Sequence, residues 1–199
     1  LQCHPFVFGG ATRCDRHGRP LLVERSGRAK PKQLLRTVTP EQFLRFHVYH
    51  SELCQLTLDS LSLRHGELVR AIAIKDLAGL GMQLVSGPGL ALLRQLVRQM
   101  QDNYPETLHK CYVINAPWAF YSVWALIKPL LAERTIAKVE VLGKDYARVL
   151  SREIAPRNLP RWLGGEWVTE LDEMQERAGG GTGGGAASAQ SLEEQQQQQ

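Results

Sequence analysis

Between Ala116 and Ala132 the chain carries one formal charge, Lys128, among Trp118, Phe120, Tyr121, Val123, Trp124, Leu126, Ile127, Leu130 and Leu131. A helix that is apolar on nearly every side has to meet apolar surroundings on nearly every side. Pro117 and Pro129 interrupt the run, and it falls short of the ~20 residues that a membrane span needs. Two outcomes remain. Either the segment fills a core completely, or it has core on one side and a greasy ligand on the other.

The flanking sequence predicts an alternation of strands and helices. Leu21 to Arg25 reads as a short strand after the turn Asp15-Arg16-His17-Gly18-Arg19-Pro20. Thr39-Pro40-Glu41-Gln42 marks a helix start, with Thr39 as N-cap, Pro40 in the first position and Gln42 closing a capping box. Phe43, Phe46, Val48, Tyr49, Leu53, Leu56 and Leu58 carry that helix towards Ser60. Leu68 to Leu77 and Lys110 to Ile114 are β-rich apolar runs typical of buried strands, and Lys138 to Leu142 alternates as a strand does. Leu90 to Asp102 keeps helical spacing and ends where Tyr104-Pro105 disfavours the helical region. Such an order predicts an α/β domain with a mostly parallel sheet. Leu1 to Arg13 shows no clear period.

Charge and composition change after Gly165. Residues 166–199 hold seven acids and one base, which leaves 23 bases and 13 acids in 1–165, about ten positive charges in excess. A body so basic favours anionic partners. The expected organisation is one domain over 1–165, an acidic extension over 166–177, and a disordered Gly/Gln-rich tail over 178–199, whose composition buries too little apolar area to offset ordering. Cys3, Cys14, Cys54 and Cys111 form no CxxC pair, so no metal is expected and a reduced, cytosolic chain is. The first residue is not Met, which sets the expectation that the true N-terminus lies upstream of Leu1.

Residue chemistry argues against catalysis. No GxSxG elbow occurs, and none of the six histidines stands in a pattern with a nucleophile. His47 and His50 lie three apart on the first long helix without a carboxylate partner, and are expected on its surface. Gly79-Leu80-Gly81 lacks the third glycine of a dinucleotide fingerprint and reads as a turn. The early basic residues lack interleaved aromatics, so nucleic acid is not an expected partner. Glu106, Thr135 and Lys138 flank the apolar segment and could serve phosphate and sugar-like hydroxyls, although spacing alone leaves them ordinary turn and strand-end positions.

At YPETLHKCYVINAPWAFYSVWALIKPLL, followed by TIAKVEVLG and NLPRWLGG, the sequence resembles the CRAL-TRIO lipid-binding domain. The nearest likeness is to the phosphatidylinositol/phosphatidylcholine transfer proteins of the secretory pathway. DRHGRPLLVERSG, the helix after TVTPEQ, and HGELVRAIAIKDLAGLG extend it over about Asp15 to Gly165. The resemblance implies an α/β CRAL-TRIO fold whose mostly parallel sheet floors an apolar pocket closed by a gate helix at Trp118 to Leu131. It implies Glu106, Thr135 and Lys138 as inositol-phosphate residues. Tyr49, Trp118, Phe120, Trp124, Ile127 and Leu131 are expected as pocket and gate residues, with Tyr49 matching a phosphocholine contact. Leu22, Ala71 and Ala73 replace hydroxyl-bearing residues of that phosphocholine site, so weak phosphatidylcholine binding is expected.

The function so implied is non-enzymatic: binding and transfer or presentation of phosphatidylinositol or a related phospholipid. It would be carried out without a cofactor by a monomer that visits anionic membrane surfaces from the cytoplasm, at endomembranes such as the Golgi. Two alternatives stay open. One is a scaffold module of the same fold for a small GTPase or other protein; the other is a carrier of a sterol, tocopherol or retinoid.

Overall fold

Five strands lie in one sheet in chain order: β1 (Phe6–Phe8), β2 (Leu21–Glu24), β3 (Ala71–Asp76), β4 (Leu108–Ile114) and β5 (Val139–Val141). The structure is a computed structural model and describes residues 6–28, 36–80, 87–170 and 172–173. β2 to β5 run parallel, and β1 pairs antiparallel with β2 through Phe6↔Glu24 and Phe8↔Leu22. The α/β expectation therefore holds. β1 was not foreseen, because three residues before Gly9-Gly10 are too few to display a period. The 178–199 tail, residues 171 and 174–177 of the acidic extension, and Gly81 lie outside the described residues.

Long crossovers separate the parallel strands, as parallel pairing requires. The first contains α1 (Pro40–His65), whose capping box is formed: Gln42 N donates to Thr39 Oγ1 at 3.2 Å and Thr39 N donates to Gln42 Oε1 at 2.8 Å. α1 runs past Ser60 to His65 and stops at Gly66, whose φ of 70° suits a residue without a Cβ. α2 (Pro88–Asn103) precedes β4, and α3 (Trp118–Ile127) follows it. A single 3-10 turn, Lys128–Leu130, and the short α4 (Glu133–Ile136) lead into β5. α5 (Tyr146–Glu153) follows β5.

The two faces of the sheet have different fates, and the period of two decides which residue goes where. Leu21, Val23, Ile72, Ile74, Tyr112 and Ile114 face a dry core closed by Leu150 and Ile154 around α5 and by Leu159, Leu163 and Trp167 further on. Packing continues beyond Gly165, since Trp167 and Thr169 are buried. The intervening residues, Leu22 and Glu24 on β2, Lys75 and then Leu77 on and just past β3, and Cys111 and Val113 on β4, line a cavity. Ala71 and Ala73 are fully packed and form no part of its wall, whereas Leu22 does.

Candidate functional site: a lined cavity with a cationic rim

The cavity measures about 450 Å³ and lies between the sheet, α1, α2 and α3. Helical spacing builds its walls. Phe120, Val123, Trp124 and Ile127 recur at three and four residues on α3 and face inwards, joined by Leu131 beyond the 3-10 turn. Leu92, Leu93, Leu96, Val97 and Met100 do the same on α2. The outer face of α3 is apolar as well: Trp118 is 73% and Tyr121 61% exposed. The segment is thus apolar on both faces, of which one lines the cavity and the other lies open to solvent.

Where the chain enters α3, its path is fixed by polar contacts. Asn115 adopts φ 53°, a left-handed conformation open to asparagine, and its Nδ2 donates to Asp76 Oδ1 at 2.9 Å. The same Asp76 oxygen accepts from Ala78 N at 3.0 Å. Pro117 then stands at the N-cap of α3, which has no side-chain cap.

Two of the residues expected as pocket or gate do not line the cavity. Tyr49 is 60% exposed and Trp118 projects outwards, so neither lines the cavity, while Phe120, Trp124, Ile127 and Leu131 do. Conversely, His47 and His50, expected on the helix surface, line it together with Phe43, Ser51 and Cys54. Their spacing explains this: 43, 47, 50 and 54 form one stripe of α1, and position 49 falls off it. Burial lowers the His50 pKa, which keeps its imidazole neutral at pH 7. Burial raises the Cys54 thiol to about 11, and also the Cys111 thiol to about 11, where nearby Lys75 partly opposes it. Among the described residues no group of three or more His, Cys, Asp or Glu side chains could hold a metal.

Glu106, Thr135 and Lys138 all line one end of the cavity, near the N-terminal ends of the parallel strands. Glu106 holds φ 58° and gathers three cations. Its Oε2 lies 3.0 Å from Arg70 Nη2 and 3.4 Å from Lys138 Nζ, and its Oε1 lies 3.5 Å from Arg134 Nη1. Lys138, by charge and hydrogen bond, holds the Glu106 carboxyl below its ordinary value; partial desolvation opposes the shift, and Arg70 and Arg134 add to it. Thr135 Oγ1 donates to Gln101 Oε1 at 3.3 Å. Three cations against one carboxylate leave an excess of two positive charges at this rim. Arg70 and Arg134 were not foreseen. Arg134 stands one residue from Thr135, and that adjacency was its only signal in the sequence.

An apolar chamber with a cationic rim can take an amphipathic molecule with an anionic head. Comparisons with known proteins agree in family. The chain is 39% identical over 153 residues to the Sec14 cytosolic factor of Schizosaccharomyces pombe, covering 76% of this chain and 53% of that protein. It is 35% identical over 158 residues to the phosphatidylinositol/phosphatidylcholine transfer protein SFH11 of Arabidopsis thaliana, covering 78% and 42%. The chain spans about half the length of these relatives. The crystal structure of Sfh5 superposes with a TM-score of 0.60 at 20% identity, over 74% of this chain and 50% of that one, which is a likeness of fold. With residues 7–165 matching the family described as CRAL/TRIO domain, the chain belongs to the CRAL/TRIO domain family.

Proposed function

We propose that this chain is a non-enzymatic carrier or presenter of a phospholipid, with phosphatidylinositol as its ligand, acting as a monomer at anionic endomembrane surfaces. The observation that carries the proposal is the apolar cavity whose rim collects Arg70, Arg134 and Lys138 around Glu106. Lys138 clamps the headgroup phosphate, Arg134 adds a planar donor fork, and Thr135 contributes its hydroxyl. Glu106 accepts from inositol hydroxyls once the phosphate takes over part of its cation shell. The names of the relatives, as phosphatidylinositol/phosphatidylcholine transfer proteins, support the same class of ligand.

Lipid extraction needs a chamber about as apolar as the bilayer. Burying tail methylenes at about 0.8 kcal/mol each offsets leaving the membrane only if the tails meet an equally dry environment. Phe120, Val123, Trp124 and Ile127 supply that lining. α3 is the gate. With its outer face carrying Trp118 and Tyr121, it rests against the bilayer and swings from its uncapped start beside Asn115, so that both faces stay in apolar contact while tails pass. No helix of the described residues is long and apolar enough to cross a membrane, and contact with the surface is therefore peripheral in this scheme.

A scaffold for a protein partner would be expected to fill its interior, and the 450 Å³ cavity counts against that alternative. Purification of the chain from cells, followed by native mass spectrometry and identification of the extracted lipid, tests the proposal. A bound inositol phospholipid is the expected outcome, and a chain free of lipid under mild conditions would contradict it.

A further inference from the structure

The face of the sheet away from the cavity is covered by α5 and the turns after it, and there the chain becomes basic. From Lys144 to Arg161 stand five bases, Lys144, Arg148, Arg152, Arg157 and Arg161, against Asp145 and Glu153. Arg148 and Arg152, four apart, share the outer ridge of α5, because Leu150 and Ile154 turn the opposite side into the dry core. The loop before β2 brings up two more guanidinium groups. Arg16 donates through Nε to Arg152 O at 3.1 Å and through Nη2 to Ser151 O at 3.3 Å, and Arg13 Nη1 donates to Arg157 O at 3.1 Å. Among the described residues Arg148, Arg152 and Arg157 form no salt bridge.

Beside this ridge runs a groove of about 320 Å³. Ala147, Ser151 and Ile154 form one wall, Leu159 and Leu163 face them, and Arg148 stands on the lip. Positions 147, 151 and 154 fall on one stripe that runs off the end of the helix. The facing wall depends on Gly165, which lets the chain fold back against Leu159, where a Cβ would overlap the Leu159 carbonyl. A concave apolar slot beside guanidinium groups without acidic partners suits a large apolar side chain flanked by carboxylates, since the arginine fork matches a carboxylate through two hydrogen bonds. A bilayer offers no side chain to enter such a slot. The protruding aromatics that suit a bilayer, Trp118 and Tyr121, lie on α3, across the sheet.

We infer that the α5 groove and its arginine ridge form a docking surface for an acidic segment of a protein partner, one large apolar side chain entering the groove while carboxylates meet Arg148, Arg152 and Arg157. The surface lies on the other side of the sheet from the lined cavity, so a partner held there leaves α3 free to move. It stands independently of what the cavity binds.

The test uses the full chain and three short fluorescein-labelled peptides, read by anisotropy: glutamates around a central Leu-Leu pair, the same peptide with serine for leucine, and the same with lysine for glutamate. The glutamate–leucine peptide is expected to bind tighter than the other two by about tenfold or more, and to weaken as salt is raised. Arg148→Glu/Arg152→Glu is expected to weaken that peptide by about tenfold or more, and Ser151→Trp, which fills the groove, by a comparable factor. These side chains are exposed, and Arg148→Ala/Arg152→Ala replaces the charge reversal should that protein not fold. Equal binding of the three peptides by the native chain overturns the inference, as does unchanged binding by the folded variants. Absence of peptide binding, with anionic-vesicle sedimentation lost in the arginine variant, overturns it by assigning the ridge to a membrane. Phosphatidylinositol transfer is measured in parallel and is expected to persist in every variant; a matching fall in transfer overturns the inference by making the ridge part of lipid exchange.

Discussion

Lys138 Nζ stands 3.4 Å from Glu106 Oε2, and the same oxygen receives Arg70 Nη2 at 3.0 Å. Without a ligand, Glu106 thus holds together cations that would otherwise repel at the rim. Its carboxyl, ordinarily at 4.5, is held lower by Lys138 first, with Arg70 and Arg134 adding. Since the folded value lies below the unfolded one, the stabilisation is fully present above about pH 4.5 and is lost as pH falls through the folded value. Glu106→Gln is expected to flatten the acid limb of stability, read from urea midpoints across that range. Identical limbs in the two proteins would show that the cluster does not stabilise the fold.

Cys54 and Cys111 line the cavity with thiols raised to about 11, so little thiolate exists at neutral pH. Alkylation at pH 7.5 is expected to be slow at both, as followed by mass spectrometry of digested protein, and slower still when the chamber holds lipid. Rapid labelling of both in lipid-loaded protein would mean that lipid occupies some other place.

Trp118 and Tyr121 expose large apolar surfaces on the outer side of α3. Trp118→Ser/Tyr121→Ser should weaken binding to anionic vesicles severalfold in a sedimentation assay while leaving the thermal midpoint nearly unchanged, because neither side chain is in the core. Unaltered vesicle binding would place the membrane contact on another face.

Leu22 offers the cavity no hydroxyl, and Ala71 and Ala73 are packed out of its wall. Each missing charge-assisted hydrogen bond to a buried phosphate is worth ~1.5–3 kcal/mol. Loading from vesicles with equal amounts of the two lipids should favour phosphatidylinositol over phosphatidylcholine by about tenfold or more. Equal loading of both would remove this selectivity.

Much of the fold was legible because burial imposed period on sequence. Ile72 and Ile74 face the dry core and Ala71 and Ala73 are buried on the other face, which is why the β3 run reads as nearly continuous apolar sequence, and Thr39 and Gln42 announce α1 by their capping chemistry. The site was legible in part. Glu106, Thr135 and Lys138 were named from a resemblance, and they meet at one end of the cavity. Tyr49 was misplaced because α1 carries apolar residues on more than one face, so periodicity gave the helix without its phase. The stripe of Phe43, His47, His50 and Cys54 held that phase, but two histidines hid its apolar character. Lys75 gives no signal for a related reason: a single lysine in an apolar strand reads as solvent-facing until the sheet shows that its face borders a cavity.

The headgroup assignment rests on Lys138 more than on any other side chain, and transfer of phosphatidylinositol between vesicles by the native chain and by Lys138→Ala tests it most directly. Lys138 pairs with Glu106 at the rim, so the substitution is expected to lower the melting midpoint slightly while leaving the circular dichroism spectrum of the folded protein in place. Transfer by the variant should fall to background. A folded Lys138→Ala protein that transfers phosphatidylinositol at the native rate would contradict the account.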